Sequence, residues 1–103
     1  MGRWESLGPA ATRPDLSAAI VGETEVAVAR LGEGSWSAFD NSCPHEECPL
    51  ADGDLEEDKV ICYCHGSTFD LRSGAVLQGP AEEPLTMFDV RIVDGDLQLL
   101  LEP

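Results

Sequence analysis

Cys43-Pro44-His45-Glu46-Glu47-Cys48-Pro49-Leu50 and, further along the chain, Cys62-Tyr63-Cys64-His65-Gly66-Ser67-Thr68-Phe69-Asp70 carry the chemistry of this sequence. Each segment offers a thiol and an imidazole close together, as Cys-x-His in the first and Cys-x-x-His in the second, with sixteen residues between His45 and Cys62. Together they contain all four cysteines and both histidines of the 103-residue chain. Thiolates and imidazoles are ligands of borderline and soft metal ions, so two such loops suggest a metal centre. Structural zinc pairs Cys with Cys and His with His, whereas each pair here is mixed; zinc therefore stands as the rival ion. A catalytic thiol with His45 or His65 as base finds no supporting Asp or Asn arrangement. An iron site of two His and one carboxylate, using Glu46 or Glu47, would leave the cysteines without a role.

The two mixed pairs at this separation resemble the Rieske iron–sulfur family. The resemblance runs over about residues 42–85, with Leu71-Arg72-Ser73-Gly74 matching the hairpin turn that follows the second loop. It implies one [2Fe-2S] cluster, with Cys43 and Cys62 on the inner iron and His45 and His65 on the outer iron near solvent. Charge gives the arrangement its purpose. Two thiolates cancel the two positive charges of the oxidised core and neutral imidazoles add none, so an electron enters an uncharged site. Hence the range of about −150 to +300 mV for Rieske centres, against roughly −400 mV for plant-type ferredoxins.

The same resemblance assigns the neighbours. Gly66 suits close approach of backbone to cluster sulfur, and Gln78-Gly79-Pro80 resembles the segment that covers the other side, with Pro80 as its rigid element. Ser67 stands where high-potential members direct a hydroxyl at a bridging sulfide. Phe69 departs from the pattern, because a Tyr hydroxyl is expected there, and Glu46 and Glu47 put negative charge beside the outer histidine. An intermediate potential follows. Those carboxylates also favour protonated imidazole, so electron uptake is expected to couple to proton uptake. Cys48 and Cys64 match a cysteine pair that forms a disulfide in the Rieske subunits of quinol-oxidising complexes. Such a bond would close a loop of about sixteen residues and contribute on the order of 3 kcal/mol; two reduced thiols are the alternative.

Away from the loops the pattern is that of strands. Residues 24–31 and 35–40, either side of Gly32-Glu33-Gly34, read as a hairpin. A second hairpin turns at Asp94-Gly95, where Phe88, Val90 and Ile92 alternate on one arm and Leu97, Leu99 and Leu101 on the other. Shorter strands fit residues 59–61, 67–71 and 75–77. No window of helical length holds a 3.6-residue apolar period, and a helical turn is expected only within residues 10–20. The expected fold is all-β, with small antiparallel sheets forming a Rieske-like sandwich and a cluster-binding subdomain on two hairpin loops. Residues 1–103 read as a single Rieske domain, with residues 42–85 as its cluster-binding part.

Twenty Asp and Glu against six Lys and Arg give a formal charge of −14. That field repels nucleic acid and anionic membranes and speeds encounter with a basic protein surface. No secretory leader or apolar run of spanning length is found, so a soluble, cytoplasmic monomer is expected. Taken with the resemblance, the chain reads as a one-electron carrier rather than an enzyme. Its expected partners are a flavin reductase and a terminal oxygenase of the aromatic-ring dioxygenase or related monooxygenase type, each docking through a basic surface. The small subunit of an assimilatory nitrite reductase and a redox sensor are the alternatives.

Overall fold

The computed structural model describes residues 2–44, 48–64 and 66–101. Eleven strands are found among them: β1 Arg3–Pro9, β2 Leu16–Val21, β3 Thr24–Arg30, β4 Trp36–Asp40, β5 Asp54–Glu56, β6 Lys59–Ile61, β7 Thr68–Asp70, β8 Val76–Gln78, β9 Met87–Phe88, β10 Val90–Val93 and β11 Asp96–Leu101. They form three sheets of order β1-β11-β10, β2-β3-β4-β9 and β5-β6-β7-β8. Each adjacent pair is antiparallel. The described helical content is two 3-10 turns, Gly32–Gly34 and Leu50–Asp52. The all-β architecture and both long hairpins therefore match the expectation.

β3 organises the interior. Its Val-Ala-Val-Ala run is buried on both faces, as continuous apolar strands are. Ala27 and Ala29 join a core with Phe39, Leu50, Val60, Phe69 and Leu71, while Val26 and Val28 join another with Ala38, Leu97 and Leu99. The first core lies under the two loops and contains Cys43 and Cys62.

Three local readings are corrected. Residues 10–20 hold no helical turn; β2 begins at Leu16 and pairs with β3 along its whole length, from Leu16 opposite Ala29 to Val21 opposite Thr24. Gly22, at φ 64, opens the two-residue turn that sets this register. The arm read as one alternating strand through Phe88, Val90 and Ile92 divides at Asp89. Met87 and Phe88 pair with β4, whereas Val90 to Val93 pair with β11. The chain thus passes from one sheet to another, and the alternation does not mark one buried face: Ile92 is 48% exposed on the edge strand β10. Finally, residues 3–9 and 54–56 are strands that the sequence pattern did not signal. The Asp94-Gly95 turn forms as expected, with both residues at positive φ (51° and 85°).

Candidate metal centre

The first loop leaves β4 and is closed at its base by its own backbone. Cys43 N–H donates to Cys48 O at 2.9 Å, and Leu50 N–H donates to Asn41 O at 2.7 Å. Ser42 and Pro49 face each other as an isolated antiparallel bridge. Buried Asn41 anchors this neck with its side chain, accepting from Ala51 N–H at 2.8 Å and donating to Glu25 at 2.9 Å. The second loop joins β6 to β7 by a tight turn. Cys62 N–H donates to Ser67 O at 2.8 Å, and Gly66 N–H donates to Cys62 O at 2.9 Å. Gly66 has φ 78, a conformation that L side chains rarely adopt, and no neighbour within 4 Å of where a Cβ would lie. Backbone conformation, rather than crowding by the described atoms, is what calls for glycine here.

Cys43 and Cys62 point into the core at 1% and 2% exposure, one from each loop. Cys48 and Cys64 are joined by a disulfide, with Cα atoms 6.6 Å apart, and it ties the two loops together. The Sγ atoms of Cys48, Cys62 and Cys64 all lie within 4.8 Å of one another. His45, Glu46, Glu47 and His65 lie outside the described residues. Phe69 is fully buried beneath the loops and Tyr63 is 57% exposed on the second loop.

Ser67 is completely buried, and its Oγ accepts from Ala81 N–H at 3.0 Å. This bond fastens the Gln78-Gly79-Pro80 segment, whose Gly79–Pro80 peptide is cis, to the second loop. It uses Ser67 as acceptor, so the hydroxyl proton remains for donation. Exposed Pro80 shares a shallow groove with Pro44, Glu82 and Glu83. An adjoining groove is lined by Asp40, Ser42, Cys43, Pro44, Glu83, Pro84 and Thr86.

Asp58, between β5 and β6, ties this region to the base. It accepts from Gly32 N–H at 3.1 Å and from Arg72 Nε at 2.7 Å. These two bonds, first the amide of Gly32 and then the guanidinium, hold its carboxyl below the ordinary Asp range. Ser37 adds a second tie, donating its hydroxyl proton to Leu71 O at 2.7 Å. Asn41, Asp58 and Ser37 were not singled out by sequence, because each acts through partners 10 to 34 residues away.

Two cysteines sunk in an apolar core suit a cationic centre. As thiolates they would be costly there unless a positive charge faced them, which a cluster of ferric ions supplies. The disulfide sulfurs, by contrast, carry no thiolate with which to bind iron.

The comparisons agree with this geometry. Residues 9–89 match the Rieske [2Fe-2S] domain, and the chain belongs to that family. The domain binds a [2Fe-2S] cluster. The anthranilate 1,2-dioxygenase ferredoxin subunit of Burkholderia cepacia is 31% identical over 101 residues, 96% of this chain and 93% of that protein. The Sphingomonas yanoikuyae B1 ferredoxin superposes with a TM-score of 0.88 at 25% identity, covering 97% of this chain and all of its own. A chain from the complex of reduced oxygenase and oxidised ferredoxin in carbazole 1,9a-dioxygenase superposes with a TM-score of 0.85 at 26% identity, covering 92% of this chain and 99% of its own. Among the described residues no helix is long and apolar enough to cross a membrane.

Proposed function

We infer that this protein is a one-electron carrier in which Cys43, His45, Cys62 and His65 hold the [2Fe-2S] cluster. The observation that carries the reading is the pair of buried thiols, one in each of two loops tied by a disulfide, in a chain of the Rieske family. When bound, the cluster accepts and returns one electron. The chain would supply the rest: Cys43 and Cys62 would hold the cluster from within the core, His45 and His65 would complete the ligand set, the hydroxyl proton of Ser67 would be available to a cluster sulfur, and the Pro80 segment would cover the site.

Similarity to the anthranilate dioxygenase ferredoxin subunit, and to a chain from a ferredoxin–oxygenase complex, supports a place between a reductase and a terminal oxygenase. A flavin reductase is the donor that suits a one-electron carrier of this kind. With a net charge of −14, docking to basic patches on both partners follows from electrostatics. A cytoplasmic location suits such a chain.

The test is spectroscopy of anaerobically purified protein in both redox states, with iron and acid-labile sulfide counted. Two iron and two sulfide per chain with mixed nitrogen and sulfur ligation are expected; a colourless zinc protein would overturn the assignment. H45C, if it retains a cluster, should show a markedly lower potential. Transfer from a reductase should be catalytic and slow as salt rises. Stoichiometric reduction with altered target binding would instead identify a sensor, and turnover only with a nitrite reductase large subunit would identify that system.

A further inference from the structure

The loop disulfide and Cys62 form a compact sulfur group, with the Sγ atoms of Cys48, Cys62 and Cys64 mutually within 4.8 Å. A thiolate that close to a disulfide has a short path to a mixed-disulfide rearrangement. Resting on the assignment of Cys62 as a cluster ligand, we propose that the cluster guards the disulfide. When no iron holds Cys62, its thiol gives up its proton to solvent and attacks Sγ of Cys48, the Cys48–Cys62 bond forms, and Cys64 leaves as a thiolate that takes up a proton in turn. One S–S bond forms and one breaks, one thiolate is consumed and one released, so no outside oxidant or reductant is needed.

Attack on Cys48 is favoured over attack on Cys64 by connectivity. A Cys48–Cys62 bond still ties the two loops, fourteen positions apart instead of the sixteen of Cys48–Cys64. A Cys62–Cys64 bond would span only Tyr63 within one tight turn and release the first loop. Cys64 is only half-buried, so the departing thiolate gains access to water, whereas Cys62 sits at 2% exposure. Cys43 is not among these three mutually close sulfurs, and the exchange needs only them. The exchanged form holds Cys62 in a disulfide and cannot take up a cluster until Cys62 is freed, either by return attack of the Cys64 thiolate on Cys48 or by an added dithiol, which reduces the bond to two thiols and is itself oxidised to a disulfide. Cluster acquisition is thereby gated by thiol chemistry within the loops.

Peptide mapping tests this. Protein with counted iron and sulfide is stripped by a chelator under anaerobic, thiol-free conditions, quenched in acid at intervals and alkylated. Chymotryptic cleavage after Tyr63 separates Cys62 from Cys64. The loaded protein should give the Cys48–Cys64 peptide with no label on Cys64. After stripping, label should be lost from Cys62 and gained at Cys64, the Cys48–Cys62 peptide should appear, and dithiothreitol should restore cluster uptake. Cys64 remaining unlabelled while Cys62 labels fully would overturn the proposal. So would equal labelling of Cys64 in C62S, which lacks the attacking thiol, while C43S should exchange like the parent. If the starting protein holds no iron, the cluster assignment fails on its own, and the same map on the metal-free chain still decides the exchange.

Discussion

On one side of β3, Ala27 and Ala29 meet a core whose sheet, β5 to β8, is made of strands three residues long. On the other, Val26 and Val28 meet Leu97 and Leu99 of β11, a six-residue strand paired on both edges. The second core is held by long ladders and aliphatic packing. The first has too little ladder to hold itself and uses tethers: the Cys48–Cys64 disulfide, Ser67 to Ala81, Ser37 to Leu71, and Asp58 to Gly32 and Arg72. Short strands leave loop backbone available for a metal centre, and the cross-links offset the pairing thereby lost.

This contrast can be broken by experiment. Phe69→Ala, at the centre of the tethered core, should cost about 3–5 kcal/mol in urea unfolding and release iron. Leu99→Ala in the laddered core should cost about 2–5 kcal/mol. It should leave iron content per folded molecule unchanged; equal iron loss in both variants would mean that the cores are not separable. Replacing Cys48 and Cys64 together by Ser should cost on the order of 3 kcal/mol, again read by urea midpoint. Ser67→Ala leaves the buried Ala81 amide without its acceptor and should cost about 1–3 kcal/mol. The midpoint potential should fall as well if the hydroxyl also serves the cluster.

Asp58→Asn sharpens the picture through pH. Because its bonds lower the folded-state pKa, the carboxylate adds stability above the ordinary Asp range and loses it as pH falls through its depressed folded value. The small difference between parent and variant should therefore be fully present at neutral pH and close in acid, seen in thermal unfolding at several pH values. Ile92→Ser on the exposed edge should change stability by less than about 0.5 kcal/mol.

The sequence made the two long hairpins and the thiol-bearing loops legible, because Asp94-Gly95 dictates a turn through its backbone preferences and mixed Cys and His spacing has few other uses. What it concealed depends on distance. Asp89 reads as one more polar position in an alternating arm, and only the competing partners β4 and β11 reveal the switch between sheets. β1 carries Ser6, Gly8 and Pro9, poor strand formers, and owes its conformation to pairing with β11, with Trp4 stacked under Arg91 at 3.9 Å. Asn41 is an ordinary loop residue until Glu25 and Ala51 converge on it. His45 and His65, which the family resemblance implies as outer ligands, lie outside the described residues.

Among the described residues the edge strand β10 leaves a row of backbone groups without a strand partner and carries exposed Ile92 and Val93, a template on which another copy could add a strand. Arg91 beside them and the strand's length of four residues blunt that edge. A charge of −14 on every copy then sets mutual repulsion against stacking. The acidity of the chain thus protects against fibre-like self-association, a protection that weakens near the isoelectric point or in concentrated salt.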